Sequence, residues 1–324
     1  MKYGIGIDLG GTNLKIALVS QKGKIIGQNK FSTVRYRGQD QMIKKIVNVA
    51  DDLIKKADID KGHVAGIGVG VPGIVDSKHG IIYNLTNISG WKNVHLKEKL
   101  EKWLKLPAYV DNDVNMMALG ELYFGAAQGG NNVVCITLGT GVGGGIIVDG
   151  KLYRGSSLSA GEVGHITIDE KGPECNCGNN GCLEVYVGNS RIVATAVAGL
   201  EAGCESIINK LVDNDLTKVT CKIIDEAALK GDEFSIGIWE TVGVHLGIVL
   251  AGMINFFNPD MIVIGGGVAK AGDLIFNSMK ATITKRAIKV SSDKVKIRMA
   301  QLGYESGMIG AAVLPMIEEG VLHL

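Results

Sequence analysis

The sequence predicts an α/β protein of two lobes, and three observations carry the prediction. Strand-patterned segments alternate with amphipathic helical segments along the whole chain. A strand, a glycine-rich turn and a second strand occur together twice, over residues 3–19 and 133–148. The 324 residues exceed what one compact core usually holds and suit two.

The elements follow in order. Residues 3–7 read as a strand, 8–13 (Asp-Leu-Gly-Gly-Thr-Asn) as a turn, and 14–19 as a second strand. Gly23 turns the chain into 24–30, which completes a meander. Residues 39–57 place Met42, Ile43, Ile46, Val49, Ala50, Leu53 and Ile54 at helical spacing. Residues 63–71 form a glycine-punctuated strand stopped by Pro72-Gly73, a pair that suits a loop lining a cleft. A short helix is expected over 94–104 and a strand over 108–110. Asp111-Asn112-Asp113 then leads into a helix over 114–127. The second half begins with a strand at 133–138, a glycine turn at 139–145 and a strand at 146–148. Helices are expected at 190–202, 205–212, 223–230 and 234–257, the last stopped by Asn258-Pro259. A buried strand (261–264), a Gly-Gly-Gly turn (265–267), a helix (271–282), a strand (295–299) and a closing helix (305–319) complete the chain.

Chemistry concentrates between residues 161 and 184. His165, Cys175, Cys177 and Cys182 are separated by nine, one and four residues. Cys₃His is a standard tetrahedral zinc set, and a closed set of four leaves no position for catalysis, so the ion is read as structural. Gly178 and Gly181 let the backbone fold back so that the sulfurs converge. A disulfide is the competing use of the thiols, but one residue between Cys175 and Cys177 is poor geometry for it. Glu162 and Glu184 flank the cluster without being needed as ligands. They point to a polar, hydroxyl-rich or cationic partner, or else are ordinary surface carboxylates.

Three further stretches carry candidate residues. Glycines 10 and 11 beside Asp8 and Thr12 would let backbone N–H groups approach a phosphate, with Asp8 near Mg²⁺; a plain hairpin turn uses the same residues. Asp113 stands at a strand's carboxyl end and a helix start, where ligand residues gather and the dipole favours an anion. An N-cap carboxylate with a structural job has the same position. The G-x-G-x-x-G match at Gly139, Gly141 and Gly144 is followed by a strand and is no dinucleotide fingerprint, and no P-loop motif occurs.

Composition narrows the function classes. Net charge is +1 without basic or acidic runs, which speaks against a nucleic-acid partner. Glycine is 46 of 324, about twice the usual ~7% share, yet only 5 prolines occur, so the glycines read as turns and ligand loops. The amino terminus opens on a strand pattern rather than a signal peptide. The most apolar stretch, 242–257, falls short of the ~20 residues of a membrane span and reads as a core helix. Cys135, Cys204 and Cys221 read as reduced, inert thiols. A cytoplasmic protein is expected.

The glycine turns together resemble the actin-like ATPase (ribonuclease H-like) fold of sugar kinases, hsp70 and actin, two lobes around a cleft. Gly-Glu-x-Gly-His at 161–165 and Cys-x-Cys-Gly-x-x-Gly-Cys-x-Glu at 175–184 narrow the resemblance to the ROK family of repressors and kinases, over essentially the whole chain. The expected division is a smaller lobe of 1–118 with 305–324 and a larger lobe of 119–304. The resemblance implies that Asp8, Gly10, Gly11 and Thr12 form a first phosphate loop, Gly139, Thr140 and Gly141 a second, and Gly265, Gly266 and Gly267 an adenosine motif. Asn13 and Lys15 join the cofactor set. Asn112 and Asp113 match the pair that binds and activates a sugar hydroxyl, with Asp113 as general base. Glu162, His165 and Glu184 match the residues that hold the sugar ring, and Gly73 and Asn87 complete the substrate set. His165, Cys175, Cys177 and Cys182 match the zinc shell.

What the resemblance implies is phosphorylation of a hexose by MgATP, glucose first, in a glycolytic glucokinase. Mannose, fructose, allose or N-acetylmannosamine are alternative substrates, and a non-catalytic sugar-sensing module is an alternative function. Family repressors carry a winged helix-turn-helix ahead of the first loop. Only seven residues precede Asp8, so the kinase branch is expected. A homodimer or homotetramer without membrane or nucleic-acid partners is implied.

Overall fold

The computed structural model describes every residue except Arg37, Thr86, Asn87, Ser89 and Leu324. The first half runs β1 (Tyr3–Leu9), β2 (Asn13–Ser20), β3 (Ile25–Ser32), α1 (Gln39–Lys56), β4 (Val64–Val71), β5 (Val75–Asp76), β6 (Ile81–Asn84), β7 (Lys92–His95), α2 (Leu96–Leu104), β8 (Ala108–Asn112) and α3 (Asp113–Phe124). It continues with β9 (Val133–Leu138), β10 (Val142–Val148), β11 (Lys151–Tyr153), α4 (Glu184–Val187), α5 (Asn189–Glu201), α6 (Ile208–Leu211), α7 (Cys221–Leu229) and α8 (Glu233–Phe257). It closes with β12 (Met261–Gly265), α9 (Asp273–Arg286), α10 (Lys289–Ser292), β13 (Lys296–Met299) and α11 (Ser306–Glu318).

The strands make three sheets among the described residues, in the orders β3-β2-β1-β4-β8, β11-β10-β9-β12-β13 and β5-β6-β7. In the first, β1 to β3 are antiparallel, the expected meander, and β4 and β8 add in parallel. By contacts the chain divides into two compact units. Unit 1 is Met1–Cys135, Gly145–Gly161 and Ala300–Leu324; unit 2 is Ile136–Gly144 and Glu162–Met299. The sequence expectation drew the breaks at 118 and 304. In the structure α3 stays whole in unit 1, because it packs along α11, and β11 also falls in unit 1.

In unit 1 the residues of β1 alternate between two packing faces. Ile5, Ile7 and Leu9 point into an apolar core with Met42, Ile43 and Ile46 of α1. On the opposite face β1 and β4 pack against α11. A Cβ at Gly6 would strike the Met308 carbonyl, and one at Gly68 the Ala311 carbonyl, so glycine here permits close backbone approach. In unit 2 α8 packs on α9. Asp232 caps α8, accepting from Ser235 N (3.0 Å) and Ser235 Oγ (2.6 Å), and Asn258 ends it in the left-handed region. The helix has 25 residues, longer than the apolar segment suggested, and meets the length and composition of a membrane span; 56% of that window is buried inside the protein.

Several expected boundaries move, each for a local reason. The first turn is shorter than 8–13: β1 runs through Asp8 to Leu9 and β2 begins at Asn13. The second turn also shrinks, since Gly143, Gly144 and Gly145 lie inside β10. A Cβ at Gly145 would meet Ala118 and the Val114 carbonyl of α3, which explains a glycine in that strand. Val94 and His95, expected to begin a helix, instead end the strand Lys92–His95, because Val94 pairs with Ile82 of β6. The helix expected over 205–212 reduces to Ile208–Leu211, because Ser206 Oγ (2.8 Å) and Ile207 N (2.9 Å) donate to Asp232 instead.

Candidate active site

In unit 1 the first hairpin sets one cluster. Asp8 pairs with Lys15 across β1 and β2, and Lys15 Nζ lies 3.0 Å from Asp8 Oδ2. Lys15 Nζ also donates to the Tyr304 carbonyl (3.2 Å) and sits 5.9 Å from that ring's centre. Gly10 N donates to the Asn13 carbonyl (3.0 Å), closing the turn. Thr33, just past β3, donates its hydroxyl to the Gly11 carbonyl (2.7 Å) and its N–H to the Thr12 carbonyl (3.0 Å). The backbone of residues 10–13 is therefore held from two sides.

The second cluster in unit 1 lies where β8 meets α3. Asn112 caps the helix: its Oδ1 accepts from Val114 N (2.8 Å) and Asn115 N (3.3 Å). Its Nδ2 donates to the Gly73 carbonyl (3.3 Å), which joins two of the expected substrate residues. Asp113 is the first residue of α3, and its Oδ1 accepts from Val114 N (2.9 Å). Beneath them Asp111 is 2% exposed. It accepts from Asn112 N (2.7 Å), Asn115 Nδ2 (2.8 Å) and Arg154 Nε (2.6 Å).

Unit 2 carries the other glycine turns. Gly139 N donates to the Gly141 carbonyl (2.9 Å), and Asn189 N donates to the Gly139 carbonyl (2.8 Å). Glu184 Oε2 accepts from Val142 N (2.9 Å), so this carboxylate lies against the second glycine turn. A Cβ at Gly141 would collide with Glu184 Oε2. Gly266 has φ +94, and a Cβ there would strike the Leu138 backbone, so the third turn is packed on the strand that feeds the second.

The four metal-type residues also converge in unit 2. The ligand atoms of His165, Cys175, Cys177 and Cys182 lie within 4.8 Å of one another. Two small antiparallel bridges, Thr167 with Cys182 and Glu174 with Asn180, fold the loop back on itself. Gly178 (φ +89) and Gly181 (φ +64) take the left-handed turns that this requires. The six cysteines are free. Cys177 Sγ and Cys182 Sγ are 3.7 Å apart, and Cys175 Sγ is 3.6 Å from His165 Nδ1. Zn–S bonds of ~2.3 Å and Zn–N bonds of ~2.0–2.1 Å at tetrahedral angles place sulfurs about 3.8 Å apart and sulfur about 3.5 Å from nitrogen. The donor set therefore fits zinc in both chemistry and spacing. Burial pushes the Cys182 thiol up to about 12, and crowding by Cys177 and Cys175 adds to it. His165 turns Nδ1 toward the sulfurs and Nε2 toward Glu162 Oε2, 4.0 Å away.

Most expected residues fall into these clusters. Asp8 and Lys15 stand together, as do Gly73 and Asn112, Glu162 and His165, and Glu184 and Gly141. Asn87 lies outside the described residues. Thr33, Asp111 and Arg154 were not among the candidates. The hairpin register, which opposes Asn13 and Ser32, places Thr33 next to the loop. Arg154 stands 43 residues from Asp111, and no sequence spacing signals that pair.

A meander extended in parallel by two strands, with glycine turns at the strand ends, defines the actin-like ATPase fold, which solved sugar-kinase relatives share. Within that class the chain belongs to the ROK family, whose profile matches residues 4–317. A glucokinase of Halalkalibacterium halodurans is 38% identical over 99% of this chain and 97% of its own. The solved ROK glucokinase of Streptomyces griseus, in complex with glucose and AMPPNP, is 34% identical with TM-score 0.78, covering 96% of this chain and 98% of its own. A solved ROK transcriptional regulator, a homologue of the Escherichia coli Mlc protein, is 29% identical with TM-score 0.87, covering 98% of this chain and 79% of its own.

Proposed function

We propose that the chain is a sugar kinase that transfers the γ-phosphoryl group of ATP to a hexose, glucose first. The observation that carries this reading is the strand-to-helix junction, where the capping Asn112 and the carboxylate of Asp113 stand side by side. A sugar hydroxyl is a weak nucleophile at neutral pH. Asp113 accepts its proton as the oxygen bonds to phosphorus; the bond from phosphorus to the bridging oxygen breaks, and ADP leaves with that electron pair. Asn112 and the loop at Gly73 position the hydroxyl. Phosphoryl transfer needs positioning and charge neutralisation more than covalent help from the protein.

The remaining residues are assigned by the same reading. Backbone N–H groups at Gly10–Thr12 and Gly139–Gly141 hold phosphate oxygens, and Gly265–Gly267 borders the adenosine. Asp8 and Lys15 stand beside the first turn, with Asp8 the carboxylate that would hold Mg²⁺ directly or through water. Glu162, His165 and Glu184 hold sugar hydroxyls. Zinc, when bound by His165, Cys175, Cys177 and Cys182, supplies a structural brace and no reactive position. The His165 ring then offers Nε2 to the sugar while Nδ1 faces the metal. A coupled assay for ADP with a panel of hexoses tests this reading. Hexose-dependent ADP release supports it, with glucose fastest. Sugar binding without ADP release would favour a non-catalytic sugar-sensing module.

A further inference from the structure

We propose that the ion pair of buried Asp111 with half-buried Arg154 is a positioning device that fixes Asn112 and Asp113 for proton transfer; this rests on the sugar-kinase reading. Three donors reach Asp111 from three parts of unit 1. Asn112 N comes from the end of β8, Asn115 Nδ2 from the first turn of α3, and Arg154 Nε from the segment after β11. Oδ1 takes the first two and Oδ2 takes the arginine.

The bond to Asn112 N fixes the peptide just ahead of the two site residues. The bond to Asn115 fixes the helix turn that Asp113 begins. Neither bond leaves the strand end free to rotate, so the side chains of Asn112 and Asp113 leave the backbone in set directions.

Stability alone explains this arrangement poorly. Asp111 is withdrawn from water while the Arg154 side chain stays 25% exposed, and an ion pair whose carboxylate is desolvated is often no more stabilising than well-packed apolar residues of the same volume. Asn115, 4% exposed, keeps its Nδ2 on Asp111 while its own Oδ1 has no hydrogen-bond partner. Polar satisfaction is given up there, and the directional bond to Asp111 is kept. Arg154 also has a special place in the chain. It lies in Gly145–Gly161, a segment whose two ends both continue into unit 2. Its carbonyl accepts from Ala160 N (2.9 Å), which closes the segment into a loop just ahead of Glu162. The guanidinium thereby ties this returning segment to the strand that leads into the base.

The test is steady-state kinetics with ATP and the preferred hexose on wild type, Asp111→Asn, Arg154→Ala and the double variant. Asp111→Asn is isosteric but puts an amide where three donors converge. Each single variant is expected to lose about 10–100-fold in kcat, the usual cost of a misplaced reacting group. Hexose KM should change by less than about threefold, since the interaction matters in the transition state. The double variant should lose no more than the worse single, because one device has been removed once. Ethylguanidinium should restore turnover to Arg154→Ala and not to Asp111→Asn, which keeps its own guanidinium and lacks the carboxylate that receives it. Losses that multiply in the double variant, rescue of both singles alike, or kcat within about twofold of wild type in either single would overturn the proposal.

If Arg154→Ala does not fold, Arg154→Lys replaces it, with a smaller loss of kcat expected and an unchanged kcat overturning the idea. Absence of hexose-dependent ADP release from wild type would instead sink the kinase reading. In that case the backbone amide resonances of Asn112 and Val114 test positioning alone. Both singles should shift them, and unshifted amides would contradict it.

Discussion

At Gly141 the absence of a side chain has a direct consequence. A Cβ there would occupy the place of Glu184 Oε2, which accepts from Val142 N. Gly141→Ala should therefore displace Glu184 and reshape the second glycine turn together. We expect turnover to fall at least about tenfold, in line with misplacement of a binding group. An Ala variant with unchanged kinetics would remove both residues from the site. Glu121 is a different case, since it is fully buried and outside the chemistry. Its carboxylate accepts from Ala126 N (2.7 Å), Gln301 N (3.0 Å) and Leu302 N (2.8 Å), joining the end of α3 to the segment before α11. Glu121→Gln puts an NH₂ against at least one of those N–H groups. A loss of about 1–3 kcal/mol in unfolding free energy is expected, measured by denaturant titration, with catalysis per folded molecule retained. These two residues show where sequence reading reached. Gly141 stood out because glycine-rich turns between strands are local. Glu121, Asp111 and Arg154 did not, because their partners lie far along the chain.

At the scale of elements, the metal loop and α8 carry the next predictions. The loop between Gly161 and Glu184 has little regular structure, so its shape depends on the four convergent ligands. Purified protein should contain one zinc per chain by atomic emission. Removing it with a strong chelator should lower Tm by several degrees and free the sulfur of the exposed Cys177 from the metal to react with thiol reagents. Cys204, already exposed, should react before chelation. Cys135 and Cys221 should not, because burial pushes both thiols up, Cys221 to about 11. Metal-free protein with unchanged Tm and three unreactive loop thiols would refute the brace.

On α8, His245 packs at a tilt of 55° against Tyr186 with ring centres 4.6 Å apart, and its Nδ1 has no hydrogen-bond partner. Burial lowers its pKa from 6.5, so the folded state favours the neutral ring. Between the lowered value and 6.5 the unfolded chain binds more protons. The stabilising contribution is therefore complete above pH 6.5 and is lost as pH falls through the folded value. Relative to His245→Phe, wild type should lose Tm between pH 7 and 5; parallel curves would contradict this. Long elements such as α1 and α8 were legible because their apolar spacing repeats over many residues. The sheet β5-β6-β7 was not, because strands of two to four residues carry too little alternation to distinguish from loop.

The whole molecule joins two kinds of information. The glycine turns and the Cys/His loop were readable as motifs, and they led to the family that the comparisons show. The division of the chain was less readable, since α3 stays with unit 1 through contacts with α11 some 190 residues away in sequence, as the helix ranges show. The central claim is that Asp113 takes the proton from a bound hexose. The direct measurement pairs calorimetric hexose binding with ADP release for Asp113→Asn. The account predicts binding close to wild type and turnover reduced by roughly 10²–10⁴-fold, the reach of a general base. Near-normal turnover in that variant would contradict it.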